Sequence, residues 1–272
     1  MTSAAEGRFH MVDVSSLTSV TRRAILRTVD HVRIEAVYEP CTASVTDTAV
    51  VVAHGFTGSV DRPALRRAAQ VLRRHANVVT FSFRGHGRSG GLSTVGDREV
   101  LDLSAAVRWA RELGHARVAT VGFSMGGSVV LRQAALERGT DARPDAVAAV
   151  SAPARWYYRG TPAMRRVHWV ITRPVGRLVG RYGLGTRIDR RDWDPVPLAP
   201  FEAVPLIAPT PLLVVHGDRD PYFPVDHPRM LAAAAEAAGT PLELWLERGM
   251  GHAENAAADE LLDRLGTWLT RP

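Results

Sequence analysis

The sequence predicts an α/β protein built on a mostly parallel sheet flanked by helices. Three observations point there. Short apolar runs alternate with stretches of helical length along most of the 272 residues, the rhythm of parallel strands joined by right-handed crossovers. One junction of that rhythm, Gly122-Phe123-Ser124-Met125-Gly126, has the spacing G-x-S-x-G, a strand-to-helix turn that projects a serine. Between about 153 and 209 the rhythm stops, and then it resumes.

The first thirty residues are open to two readings, since the stretch from Ser16 to Arg22 suits either a strand or an amphipathic lead-in. Val32 to Tyr38 alternates cleanly and predicts a strand exposed on one face. An apolar run from Ala49 to Ala53 is the next strand, followed by a helix over 62–75, a strand over 77–83 and a helix over 97–113. Strand 117–122 leads into Ser124, and Gly127 to Leu136 falls within the helix that leaves it, over 125–138. Strand 146–151 closes the first half. After the interruption come strand 211–216, helix 226–238, strand 241–246 and helix 254–270. The division is a core of 1–152 and 210–272 with an insertion at 153–209. The sequence holds no internal repeat and no low-complexity segment.

A serine hydroxyl becomes a useful nucleophile only when a base can reach it, an acid orients the base, and an oxyanion hole waits for the carbonyl oxygen. Glycines two positions either side of Ser124 let the backbone turn tightly enough to present it. The buried-strand pattern Pro211 to Asp218 runs into the Pro-rich loop Arg219-Asp220-Pro221-Tyr222-Phe223-Pro224. Asp220, on the loop past that strand, is assigned as the acid. Asp218 is its competitor, with hydrogen bonding to the turn backbone as its structural role. The next strand ends in Gly249-Met250-Gly251-His252, and His252 is assigned as the base. The oxyanion donors are the amide of Met125, which follows the serine, and that of Phe56 in the glycine-flanked loop His54-Gly55-Phe56-Thr57-Gly58. His54 is read as a brace for that loop.

Together His54 to Gly58, Arg84-Gly85-His86-Gly87-Arg88-Ser89, Gly122 to Gly127, His216-Gly217-Asp218-Arg219-Asp220 and Gly251-His252 resemble the α/β-hydrolase superfamily, its esterase, lipase and thioesterase branches above all. The similarity runs from about Arg33 to nearly the end. It implies an eight-stranded, mostly parallel sheet, a Ser–acid–His triad, an oxyanion hole and no cofactor. Serine at the nucleophile position argues against haloalkane dehalogenase and epoxide hydrolase chemistry, which uses aspartate on a similar fold. Arg84 to Ser89 form a structural loop near the mouth of the site. In such proteins the position of the insertion carries a helical cap, or lid.

The chain carries a net charge of +6 with a pI near 10.3, and all 34 basic residues are arginine. Avoidance of lysine on this scale reflects codon usage as much as function, and no nucleic-acid-binding motif accompanies it. Cys41 stands alone, no cysteine or histidine cluster has metal-ligand spacing, and no apolar run reaches transmembrane length. The N-terminus has no apolar signal core, so the expected location is the cytoplasm.

The insertion concentrates the charge. From Arg155 to Asp194 it holds ten arginines and three aspartates, a balance of +7. Trp156, Tyr157 and Trp169 are interleaved, and with Arg166, Arg173 and Arg177 they are candidate substrate contacts. Met164, Val167, Ile171, Val175, Leu178 and Tyr182 form an apolar helical stripe, which Pro174 should kink or divide. Either the stripe packs on the core and shows arginines to solvent, or the cap receives acyl substrates with anionic heads or an acidic lipid surface.

Three functions remain open: a carboxylic-ester hydrolase acting through an acyl-enzyme on Ser124, a thioesterase or acyltransferase on acyl-CoA-like substrates, and a non-catalytic binding module. The expected partner is a small acyl ester, with neither nucleic acid nor an integral membrane segment.

Overall fold

In a computed structural model describing residues 20–43 and 46–271, eight strands form one sheet. They are β1 (Arg22–Arg27), β2 (Arg33–Glu39), β3 (Thr48–Ala53), β4 (Asn77–Phe81), β5 (Arg117–Phe123), β6 (Ala146–Val150), β7 (Leu212–Gly217) and β8 (Leu242–Glu247). The spatial order is β1-β2-β4-β3-β5-β6-β7-β8. β2 runs antiparallel to β1 and β4, and every pairing from β4 through β3 to β8 is parallel. Helices cover both faces. α1 (Pro63–Leu72), α8 (Ala253–Ala256) and α9 (Asp259–Leu269) pack on one side, and α2 (Glu99–Glu112), α3 (Met125–Leu136) and α7 (Asp226–Ala238) on the other. Parallel strands sandwiched this way are buried on both faces, which is why β3 to β7 read as mostly apolar runs.

Three expectations change. Of the Ser16–Arg22 stretch, residues up to 19 lie outside the described residues, and the strand starts at Arg22. β2 was expected to show one face to solvent, yet all but Arg33 is buried. Its alternate glutamates are enclosed by arginines. Glu35 takes Arg23 at 3.2 Å and Arg88 at 2.7 Å, and Glu39 takes Arg66 at 2.7 Å and Arg73 at 3.4 Å. Alternation therefore reported polarity rather than exposure. Finally, the helix expected over 254–270 divides at Ala257 and Ala258. The Arg67 guanidinium binds the Glu254 and Ala257 carbonyls at 2.8 and 2.7 Å and the Asp259 carboxylate at 2.7 Å.

Between β6 and β7 lie α4 (Pro162–Thr172), α5 (Pro174–Leu178), a π-helical turn over Val179–Gly183, and the one-turn α6 (Pro200–Ala203). Thr161 caps α4 by accepting the Met164 amide at 3.2 Å. Pro174 starts the second helix, and Arg173 before it is extended, as a residue preceding proline prefers. The apolar stripe does not pack as one. Met164, Val167 and Ile171 line the cavity below α4, whereas Val175, Leu178 and Tyr182 face solvent. The reason lies in Gly176 and Gly180, which occupy the inward face of the second helix. A β-carbon on Gly176 would collide with the Trp169 carbonyl, so only glycine allows that approach.

Candidate active site

Ser124 sits at the tip of the turn from β5 into α3 with φ 54° and ψ −115°, a conformation an L-residue holds only under constraint. The constraint is visible on both sides. The Ser124 amide donates to the Val150 carbonyl at 2.8 Å, which extends the β5–β6 ladder. A β-carbon on Gly122 would strike the Gly126 carbonyl, and one on Gly126 would strike that of Ala53. α3 is anchored beneath by Val129, Val130 and Leu131, all fully buried, each such side chain contributing roughly 1.5–3 kcal/mol.

His252 approaches from the loop after β8. Its Nε2 lies 2.8 Å from Ser124 Oγ, and its Nδ1 lies 2.7 Å from Asp220 Oδ2. Asp220 Oδ1 accepts the Tyr222 and Phe223 amides at 2.8 and 3.1 Å. Burial alone would raise the Asp220 carboxyl, but the bonds from His252 and these two amides hold it below the ordinary carboxylate range. Asp220 is therefore an acceptor only. His252 must carry its proton on Nδ1, and its Nε2 lone pair faces the Ser124 hydroxyl. Asp218 is elsewhere, with Oδ1 accepting the Gly249 amide at 2.6 Å.

Phe56 and Met125, the expected oxyanion donors, line the same cavity. Met125 opens α3, where its amide has no intrahelical acceptor. Phe56 follows Gly55 in a turn closed by a Gly58 amide to Gly55 carbonyl bond of 3.0 Å. Gly55 does not lie in the left-handed region, and a β-carbon there would sit 3.4 Å from that of Ser124, at the edge of ordinary contact. His54 braces the loop. Its Nε2 accepts the Phe83 amide at 3.0 Å, so its Nδ1–H donates to the Gly55 carbonyl at 2.7 Å.

Three further residues hold this arrangement and were not foreseen. Ser151, with φ 51°, has its Oγ accept the Ala253 amide at 3.0 Å, pinning the backbone beside His252. Tyr222 lies with its ring centroid 4.3 Å from that of His252. Glu254 is buried and accepts the Gly55 amide at 3.4 Å, and burial pushes its carboxyl above the usual range. Tyr222 and Glu254 stand two residues after Asp220 and His252, a visible proximity. Ser151 carries no local signal.

The cavity over Ser124 has a volume of about 600 Å³, and most of its lining comes from the segment between β6 and β7. Trp156, Tyr157 and Arg166 are part of that lining. Trp169, Arg173 and Arg177 are not: Trp169 is on the outer side of α4, Arg173 is exposed at the break between helices, and the Arg177 Nε donates to the Ile171 carbonyl at 2.8 Å. Among the described residues no group of three or more His, Cys, Asp or Glu side chains could hold a metal ion, and no helix is long and apolar enough to cross a membrane.

The architecture is shared with solved structures. An esterase of Pyrococcus furiosus, Pf2001, superposes with a TM-score of 0.70 at 22% identity, over 97% of this chain and 96% of that one. The family model for the alpha/beta hydrolase fold matches residues 48–156. This chain has the α/β-hydrolase fold. Among curated proteins, the esterase LipC of Mycobacterium tuberculosis is 30% identical over 172 residues, 57% of this chain and 40% of LipC. YheT of Escherichia coli is 35% identical over 108 residues, 38% of this chain and 32% of YheT. The aligned stretches thus span less than half of either relative. On an α/β-hydrolase fold ligands gather beyond the carboxyl ends of the parallel strands, and Ser124, Asp220 and His252 follow β5, β7 and β8 at that edge.

Proposed function

We propose that the chain is a serine hydrolase that cleaves carboxylic esters through an acyl-enzyme on Ser124. The observation that carries this reading is the continuous Asp220–His252–Ser124 hydrogen-bond line, 2.7 and 2.8 Å long, at the floor of a cavity of about 600 Å³. His252 Nε2 takes the Ser124 proton as Oγ attacks the ester carbonyl. Asp220 stabilises the imidazolium that forms. The Met125 and Phe56 amides receive the developing oxyanion. His252 then protonates the departing alcohol, and a water activated by the same nitrogen releases the acid. The segment 153–209 acts as a cap whose Trp156 and Tyr157 rings and α4 face enclose the acyl chain. The substrate partner is a small-molecule ester.

The test is turnover of p-nitrophenyl esters of graded chain length, alongside matched thioesters, with covalent labelling by a fluorophosphonate. We expect ester hydrolysis, labelling at Ser124, and loss of both in a folded Ser124→Ala protein. Near-normal turnover in that variant ends the serine-hydrolase reading. Clear preference for the thioesters moves the substrate class without moving the nucleophile.

A further inference from the structure

The second helix of the 153–209 segment is packed inside out. Over 174–183 its apolar side chains Val175, Leu178, Val179 and Tyr182 recur at the spacing of one helical face, yet they are 62%, 56%, 43% and 77% exposed. The opposite face is Gly176 and Gly180, both buried. A helix on a globular protein ordinarily turns its apolar stripe inward. Here glycines allow close backbone packing inward, and the stripe is left to the outside. Trp169, 45% exposed on the preceding helix, adds a large aromatic ring to the exposed apolar residues of this segment.

Charge says what would cover this face. From Ala146 to Ile188 the sequence contains eight arginines and no acidic residue. Among the described residues, only Arg155 of those eight makes an ion pair, with Asp226 at 3.3 Å. Arg165, Arg166, Arg173 and Arg181 are exposed on or beside the two helices. The Arg181 guanidinium lies over the Tyr182 ring at 5.4 Å, so charge and aromatic surface are presented together. A second copy of the chain fits poorly, because a two-fold contact would set this arginine-rich face against itself. Nucleic acid would satisfy the arginines but leave Val175, Leu178 and Val179 against phosphate. An aliphatic and aromatic stripe flanked by arginine is the composition of a helix lying in a lipid interface.

We propose that the outer face of residues 165–183 docks on an anionic lipid bilayer, with Val175, Leu178, Val179 and Tyr182 entering the interface and the arginines engaging headgroup phosphates. Docking does not depend on the reaction proposed above.

The full chain is mixed with phosphatidylglycerol–phosphatidylcholine vesicles and with pure phosphatidylcholine vesicles, and bound protein is separated by flotation. Binding should be at least about tenfold tighter to the anionic vesicles and should weaken with added salt, as surface charge is screened within about 10 Å at 0.1 M. Arg165→Gln with Arg181→Gln should weaken anionic-vesicle binding by roughly 25-fold, about fivefold for each arginine near the surface. Leu178→Glu with Tyr182→Glu should reduce it by tenfold or more. Both double variants should keep the thermal unfolding midpoint, because all four side chains are outside the packed core. Equal or absent binding to the two vesicle types overturns the proposal. So does unchanged vesicle binding by the Leu178→Glu, Tyr182→Glu protein, or a dimer in light scattering that this variant dissociates while vesicle binding stays negligible.

Discussion

Replacing Asp220 by asparagine tests the site at its most specific point. Asparagine has the same shape, and its carbonyl oxygen can keep the Oδ1 position and the bonds from the Tyr222 and Phe223 amides, 2.8 and 3.1 Å in the native protein. The loop should therefore stay in place, with a stability loss of about 1–3 kcal/mol from the charged bond. The Oδ2 position becomes an NH2 group facing His252 Nδ1, now 2.7 Å from a carboxylate. Two donors cannot meet there, so His252 shifts its proton to Nε2 and faces the Ser124 hydroxyl as a donor. General-base attack is lost. The expected fall in kcat is about 10⁴-fold, equivalent to about 5.4 kcal/mol of barrier. Asp218→Asn, which can still accept the Gly249 amide, should stay within about threefold of the parent, as expected for a surface change. Steady-state hydrolysis of a short p-nitrophenyl ester, with thermal unfolding to confirm folding, measures both. A fall below tenfold for Asp220→Asn, or equal losses for the two variants, would refute the tautomer argument.

Stability should fall with acid through the buried histidines. Burial pushes the His54 imidazole down to about 3, whereas in the unfolded chain it titrates near 6.5. Above that value neither state binds the proton and the term vanishes. Below it only the unfolded chain does, so His54 alone should remove about 2 kcal/mol between pH 8 and pH 5. His227, held at about 4 by burial, adds to the same slope. Urea unfolding at the two pH values checks this, and a slope that does not flatten in a folded His54→Gln protein would exclude His54 as its source. Gly217→Ala should lower kcat by tenfold or more at nearly unchanged KM, since the new methyl would collide with the Met250 carbonyl on the loop that carries His252. Unaltered kinetics would mean that this loop yields freely. Arg166→Gln should raise KM for esters with an anionic head and leave neutral short esters alone, whereas Arg173→Gln, away from the cavity lining, should affect neither. Equal effects of the two substitutions would place substrate charge recognition outside the cavity.

Much of this protein was legible without coordinates because its signals are local. Parallel strands covered on both faces are mostly apolar, so β3 to β7 announce themselves. The tight turn at Ser124 needs Gly122 for a reason inside the turn itself, since a β-carbon there would strike the Gly126 carbonyl. The order of Ser124, Asp220 and His252, each just past a strand, follows from a sheet whose carboxyl ends share one edge.

What only the tertiary structure decided concerns faces and neighbours. The alternating Glu35 and Glu39 of β2 look solvent-bound in sequence, and arginines distant along the chain enclose them instead. Ser151 has no local mark, because its role arises when β6 ends beside the backbone that follows His252. The stripe from Met164 to Tyr182 is continuous in sequence but divided in space. Periodicity records that a helix has an apolar side, and the two small inward glycines, Gly176 and Gly180, determine which way that side points.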